Sequence, residues 1–263
     1  MNDITYFNDP DFLTQICQMY PEWLVEHQKK DIERIEYLLK LGLSGHSDQK
    51  YQKLSVCDLG GGNTLLAPGF AAMGLKRSVL IDDFGDVDNS WILNSDNSAH
   101  NQLGVEIYSR DLIADGFKNV DGQFDIVTSI NSMEHWHNSP KKLFEDVYSK
   151  LNPGGTFLLG TPNCVNLRKR LTGLFGKAKW SGMGDWYEES TFRGHVREPD
   201  VEDLRYIAEN MGLKDIKIIG RNWSGHYSIS PLTQRITKIV DLPLRAFPSL
   251  CADIYVTGRK IET

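Results

Sequence analysis

Cysteine is scarce in the 263-residue sequence, and no two cysteines form a Cys-x-x-Cys pair: Cys17, Cys57, Cys164 and Cys251 lie far apart. That spacing excludes a zinc cluster and a disulfide scaffold, so reduced, mostly buried thiols are expected. Positive charge is not in excess either. The 29 lysines and arginines stand against 35 aspartates and glutamates, a net charge of −6, which argues against a general nucleic-acid binder. No apolar run approaches the ~20 residues a helix needs to cross a bilayer. The opening residues, MNDITYFNDPDF, lack the basic start and apolar run of a secretion signal, so the expected location is the cytoplasm. Internal repeats and low-complexity tracts are absent. What is present is ordinary for a folded protein: 40% hydrophobic and 24% charged residues exclude global disorder. The length suits one α/β domain with a cap, or at most two small domains.

Residues 1–50 read mainly as helix: Ile32, Ile35 and Leu39 recur at helical spacing, and Gly42 offers a stop. From there strand and helix signals alternate. Leu54–Leu59, Ser78–Ile81, Val105–Tyr108 and Phe124–Ile130 read as strands. Ser139 and Pro140 then open a helix whose apolar face is Leu143, Phe144, Val147 and Leu151. Asn152-Pro153-Gly154-Gly155 ends it before a strand at Thr156–Leu159. Pro199 opens a further helix with Val201, Leu204, Ile207, Ala208 and Met211 on one side, and Ile216–Ile219 and Ala252–Val256 read as the last strands. Strands separated by helices imply a mainly parallel sheet covered on both faces. Ligands bind such sheets beyond the carboxyl ends of the strands.

Val56-Cys57-Asp58-Leu59-Gly60-Gly61-Gly62-Asn63 sits between the first of these strands and a helix. Glycines there allow a tight turn and the close approach of a ligand. A dinucleotide fingerprint would place Gly or Ala where Leu65 stands, and a phosphate loop would need a lysine that is missing. The residue before the glycines is instead an acid, Asp58, a poor neighbour for pyrophosphate and a good one for a positively charged ligand. The bland alternative for the segment taken alone is a bare strand–helix turn with no ligand.

The segment resembles motif I of the class I S-adenosylmethionine-dependent methyltransferases, (E/D)-x-G-x-G-x-G: Asp58, Gly60 and Gly62 match, and Thr64 replaces the last glycine. Other segments resemble that family in the same order. Leu80-Ile81-Asp82-Asp83 is similar to the end of its second strand, where an acid takes the cofactor's ribose hydroxyls; Asp82 or Asp83 fills that role, with Asp82 favoured because it directly follows Val79-Leu80-Ile81. Tyr108-Ser109-Arg110-Asp111-Leu112 is similar to the third, with Asp111 for the adenine amino group and Leu112 against the ring. Asn131-Ser132-Met133-Glu134-His135-Trp136 follows the fourth strand, close to the "EH" signature of small-molecule methyltransferases, and Asn131 joins the cofactor set. Leu151–Leu159 resembles the family's "LkPGG-lll" turn, and Pro162-Asn163 after it is also typical.

The resemblance covers roughly 54–163, and more loosely 199–223 and 251–260. It implies a Rossmann-like, seven-stranded, mostly parallel sheet with helices on both faces and an antiparallel last strand. A helical cap at 1–50 would precede a methyltransferase domain at 51–263 with lid insertions at about 164–198 and 224–250. The implied cofactor is S-adenosylmethionine and the implied partner a small molecule.

Methyl transfer from a sulfonium is an in-line displacement, for which the protein aligns the acceptor and excludes water. A hydroxyl acceptor gains from a base that works near neutral pH, the range of histidine. The resemblance puts His135 at the floor of the acceptor pocket, and His195 is similar to a histidine of quinone-precursor methyltransferases. These two are the base candidates; the bland alternative for His135 is a merely loop-orienting role. His137 is expected to point elsewhere, and Glu134 to orient His135 or the helix start. Cys164–Glu198 interrupts the alternation and gathers Arg168, Lys169, Arg170, Lys177 and Lys179 with Trp180, Trp186 and Tyr187. That cluster suits an acceptor with phosphate or carboxylate groups, or it is a solvated basic face. Some relatives with an E-x-x-E-H signature hold a divalent cation; here the first position is Asn131, so no metal is expected, although Glu134, His135 and His195 could supply three ligands. Leu167, Leu171, Leu174 and Phe175, and the stretch Pro231–Leu250, mix apolar and basic residues at helical spacing. They read as a lid packed over a cleft or as peripheral membrane contact. The whole points to O-methylation of a sugar, glycan precursor or similar anionic metabolite; the competing reading is an inactive, cofactor-binding regulator or partner protein.

Overall fold

The structure is a computed structural model that describes residues 9, 11–46, 49–85, 90–96, 98–177, 181–188, 190–228 and 230–261. Lys179 and Trp180 of the basic segment, and residues 1–8 of the cap, lie outside the described residues. The chain forms two compact units. The first comprises Met1–Ser129, Lys142–Leu158 and Arg259–Thr263; the second comprises Ile130–Lys141 and Leu159–Gly258.

Strands β1 (Ser55–Leu59), β2 (Arg77–Asp82), β3 (Glu106–Ser109), β4 (Phe124–Ile130), β5 (Leu151–Pro162), β6 (Lys214–Arg221) and β7 (Asp253–Arg259) form one sheet in the order β3-β2-β1-β4-β5-β7-β6. β1 pairs in parallel with β2 and β4, and β2 with β3. Gly154 N–H donates to the Lys260 carbonyl and Lys260 N–H to that of Gly155, so the start of β5 meets the end of β7 and those strands run antiparallel. The expected Rossmann-like fold class stands. One local expectation does not. Asn152-Pro153-Gly154-Gly155 is not a turn before the strand but its first residues, because the chain just after β7 supplies the partners its backbone needs.

In the first unit, α1 (Phe12–Cys17), α2 (Glu22–Leu43) and α3 (Leu66–Ala72) pack on one another, and α3 packs on β1 and β2. Ile35, Leu38 and Leu39 of α2 are buried, each contributing about 1.5–3 kcal/mol of apolar burial. Gly42 is no stop, since α2 runs to Leu43. A Cβ at Gly42 would lie 3.1 Å from Phe70 Cζ and one at Gly69 3.1 Å from Leu39 Cδ1, so small residues let α2 and α3 approach closely. Helix α4 (Lys141–Lys150) buries Leu143, Phe144 and Val147.

The second unit carries α5 (Leu167–Gly173), α6 (Met183–Glu188), α7 (Val201–Asn210) and α8 (Pro231–Leu244). A capping box starts α7: Asp200 Oδ1 accepts the N–H groups of Glu202 and Asp203, each at 2.9 Å. All four cysteines are free thiols, and Cys17, Cys57 and Cys251 are buried. Among the described residues no helix is long and apolar enough to cross a membrane.

Candidate active site

The turn after β1 uses backbone that glycine adopts without strain: φ is +73° at Gly60 and +50° at Gly62. Gly62 N–H donates to Asp82 Oδ2 at 2.9 Å, and Phe84 N–H to Asp82 Oδ1 at 2.6 Å. Asp82, buried at the end of β2, thus brackets the glycine turn against the turn that follows it. Gly61, which sequence reasoning passed over, is required sterically: a Cβ there would come within 2.1 Å of Asp58 Oδ2.

Asp58 is completely buried. Its Oδ1 accepts a 2.6 Å bond from the Thr128 hydroxyl on β4, while its Oδ2 has no hydrogen-bond partner among the described residues. Burial pushes the carboxyl up to about 7; the Thr128 bond opposes the rise and the charge of Asp82 adds to it. Asp83 is exposed, and its Oδ1 accepts Gly85 N–H at 2.8 Å. Asp111, just beyond β3, is exposed and accepts the N–H groups of Ile113 and Ala114 at 2.8 Å; Leu112 beside it is buried. These residues all lie in the first unit, at or just beyond the carboxyl ends of β1, β2 and β3.

Beyond β4 the second unit begins. Asn131 has φ +51°, donates its N–H to the Gly160 carbonyl at 2.8 Å, and keeps a buried Oδ1 with no hydrogen-bond partner among the described residues. A short turn, Met133–His135, follows. Glu134 is buried, and its carbonyl accepts Val196 N–H at 2.7 Å and Arg197 N–H at 3.2 Å, which ties this turn to the chain around His195. His135 Nδ1 lies 2.7 Å from the Arg193 carbonyl. A carbonyl only accepts, so Nδ1 carries the proton and Nε2 is the acceptor nitrogen. His195 Nδ1 lies 2.7 Å from Glu198 Oε1, which sets the same tautomer. The two imidazoles meet edge-on, with centroids 4.9 Å apart and planes at 84°. His137 leans instead on the Phe192 carbonyl at 3.3 Å.

Glu198 is buried, and Lys169 Nζ pairs with its Oε2. Burial pushes the Glu198 carboxyl up, but the bonds from His195 and Lys169 outweigh it and hold the group below its usual range. Glu198 was not among the expected site residues, and Lys169 was expected only as one of a basic cluster suited to an anionic acceptor. The i,i+3 spacing of His195 and Glu198 was the one available signal; nothing in the pattern marks Lys169 as the buried member of its basic run.

Residues 27–218 match the family described as the methyltransferase domain. The chain belongs to that family. Among curated proteins none matches significantly. Solved structures share the fold at low identity. A SAM-dependent methyltransferase from Archaeoglobus fulgidus is 17% identical with a TM-score of 0.52, over 85% of this chain and 94% of that one. Magnesium protoporphyrin IX methyltransferase from Synechocystis, with bound SAH, is 13% identical with a TM-score of 0.55, over 97% and 96%. A phosphoethanolamine N-methyltransferase from Haemonchus contortus, in complex with S-adenosyl-L-methionine, is 15% identical with a TM-score of 0.54, over 99% of this chain and 60% of that one.

The methyltransferase is S-adenosylmethionine-dependent, and its turn fits that cofactor on a point of its own geometry. A buried carboxylate oxygen without a donor is unfavourable, and the cofactor's ammonium would supply Asp58 with both charge and N–H groups. The basic segment is less uniform than its sequence. Lys169 is committed to Glu198, Arg170 Nη2 donates to the Ser249 carbonyl at 3.2 Å, and Arg168 and Lys177 are exposed with Trp186 and Tyr187. Glu134, His135 and His195 each offer a ligand atom, all within 4.8 Å of one another.

Proposed function

We propose that this methyltransferase moves the methyl group of S-adenosylmethionine to a hydroxyl of a small acceptor bearing phosphate or carboxylate groups, such as a sugar or glycan precursor. The observation that carries the reading is the His195 dyad: Nδ1–H is committed to an ionised, buried Glu198, which leaves Nε2 as a proton acceptor.

Bound S-adenosylmethionine supplies a sulfonium-activated methyl group for in-line displacement. The chain's residues do the rest. Asp58 and the Gly60–Gly62 turn hold the cofactor's charged end. Asp82, with Asp83 as its exposed neighbour, takes the ribose hydroxyls, Asp111 and Leu112 the adenine, and Asn131 offers its buried Oδ1. His195 Nε2 removes the acceptor's hydroxyl proton as the carbon–oxygen bond forms. Glu198 stabilises the imidazolium that results, and Lys169 keeps Glu198 ionised. His135 accepts through Nε2 and positions the hydroxyl. Arg193 and Arg197, the latter also paired with Asp203, meet the acceptor's negative groups, and the segment 164–198 acts as a lid that excludes water.

The test is a metabolite extract incubated with isotope-labelled donor and read by mass spectrometry. A labelled methyl ether is expected, lost in His195→Ala while calorimetry still shows donor binding. Unchanged turnover in both His135→Ala and His195→Ala removes the base from this account. Donor binding with no labelled product in any extract favours the inactive, cofactor-binding reading.

The close approach of Glu134, His135 and His195 supports a second reading, a divalent cation held by the three. Full turnover after chelation is the outcome expected here. Turnover lost to a chelator and restored by magnesium would replace the base by a metal.

A further inference from the structure

Helix α8 is built inside out. Its inner face is polar: Thr237 and Asp241 are only 8% and 5% exposed. Its outer face is aliphatic: Leu232, Ile239 and Leu242 stand 67%, 77% and 74% exposed, with Ile236 in the same stripe. The reversal is anchored. Asn222 Nδ2 donates to Asp241 Oδ1 at 2.8 Å, His226 Nε2 lies 3.4 Å from Asp241 Oδ2, and Arg245 pairs with that same oxygen. A Cβ at Gly225 would come within 2.3 Å of Thr237 Oγ1, so the polar face lies flush against that glycine. Rolling the helix over would bury its leucines and isoleucines only by breaking the Asp241 network and stranding a buried charge.

The exposed stripe is also cationic. Arg235 and Lys238 are exposed and lie one helical turn from Ile239 and Leu242, on the same side. Helix α5 and the turn after it repeat the combination: Leu171 on the helix and Leu174 and Phe175 just beyond it are exposed, with Arg168 and Lys177 exposed on either side in the chain. Arg170 ties α5 to the chain just after α8 through the Ser249 carbonyl.

We propose that this face docks on an anionic phospholipid surface, with the aliphatic stripe of α8 entering the headgroup boundary and Arg235 and Lys238 meeting lipid phosphates. Charge complementarity selects this occupant. A headgroup layer rewards exposed apolar area and flanking cations together. A second copy docked about a two-fold axis would set the same cationic patch against itself, and the cores of protein interfaces are depleted of lysine. The inference goes beyond the methyl-transfer reading and does not depend on the acceptor.

The full chain is floated with vesicles of phosphatidylglycerol in phosphatidylcholine, and with phosphatidylcholine alone, at low and at physiological salt. Binding to the anionic vesicles is expected, and it weakens with salt. Arg235→Glu with Lys238→Glu should lower it at least about ten-fold, since one cation near an anionic surface is worth roughly five-fold. Ile236→Asp with Ile239→Asp should abolish it. Both double variants keep the wild-type heat of donor binding, which shows that they fold. Absence of flotation with anionic vesicles at low salt overturns the proposal, and so does equal binding to both vesicle types. A lipid-free, concentration-dependent dimer that Ile236→Asp with Ile239→Asp dissolves would replace the membrane by a second copy.

Discussion

Asp58 and Glu198 are both buried carboxyls in the two halves of the proposed machinery, and their surroundings differ in kind. Among the described residues Asp58 has the Thr128 hydroxyl and glycine backbone beside it and no ion-pair partner, and its carboxyl is pushed up to about 7. Glu198 sits between Lys169 and His195 and is held low. Among the described residues the first site is electrostatically incomplete, and the second completes itself. A place that receives a charged ligand has to leave a group unsatisfied until the ligand arrives. A place that moves a proton has to fix its tautomer and charge beforehand.

Four experiments bear on that contrast, in order of expected effect. His195→Ala should lower turnover by about 10²–10⁴-fold while donor binding persists; a parallel fall in donor affinity would erase the division of labour. Glu198→Ala leaves Lys169 buried without a partner, so chemical denaturation should show a loss of about 3–5 kcal/mol. Gly61→Ala forces a methyl group into Asp58, and calorimetry should show donor binding weakened by about 1–3 kcal/mol. Full affinity there would mean that the turn relaxes freely.

The smallest effect is the most diagnostic. Asp58 has a folded pKa above its unfolded value, so its protonated form is favoured in the ligand-free fold. Its contribution to stability is therefore complete below about pH 4 and is lost as pH rises through about 7. Binding of a cationic group favours the carboxylate. Donor affinity should thus climb with pH up to about 7, with proton uptake by the buffer detectable in calorimetry. Asp58→Asn should remove that pH dependence and change ligand-free stability by less than about 1 kcal/mol. A stability loss like that of Glu198→Ala would show that the two acids are alike after all.

The glycine turn after β1 was legible in the sequence because its determinants are local: an acid, glycines where φ is positive, and acids at successive strand ends. Asp58, Gly60, Gly62, Asp82, Asp83, Asp111 and Leu112 occur where strand ends were expected. Even there, Gly61 was passed over, since what requires it is the direction of the Asp58 side chain rather than its own backbone. The histidine cluster was half legible. His135 and His195 could be singled out, but their approach to 4.9 Å and the burial of Lys169 depend on how distant segments fold back. Helix α8 shows the remaining limit. Its apolar periodicity was plain, yet periodicity gives a stripe and no direction, and only the Asp241 network decides which side faces inward. At β5 the turn-like Asn-Pro-Gly-Gly run joined a strand because Lys260 was there to pair with it.

The two oxygens of Asp82 each receive one backbone N–H, from Gly62 and from Phe84. A swing of the carboxylate away from its place releases both amides together. The two loops therefore breathe on a common clock. In hydrogen–deuterium exchange, Gly62 and Phe84 should share one opening rate, though they belong to different strand ends, and Asp82→Ala should split it into two.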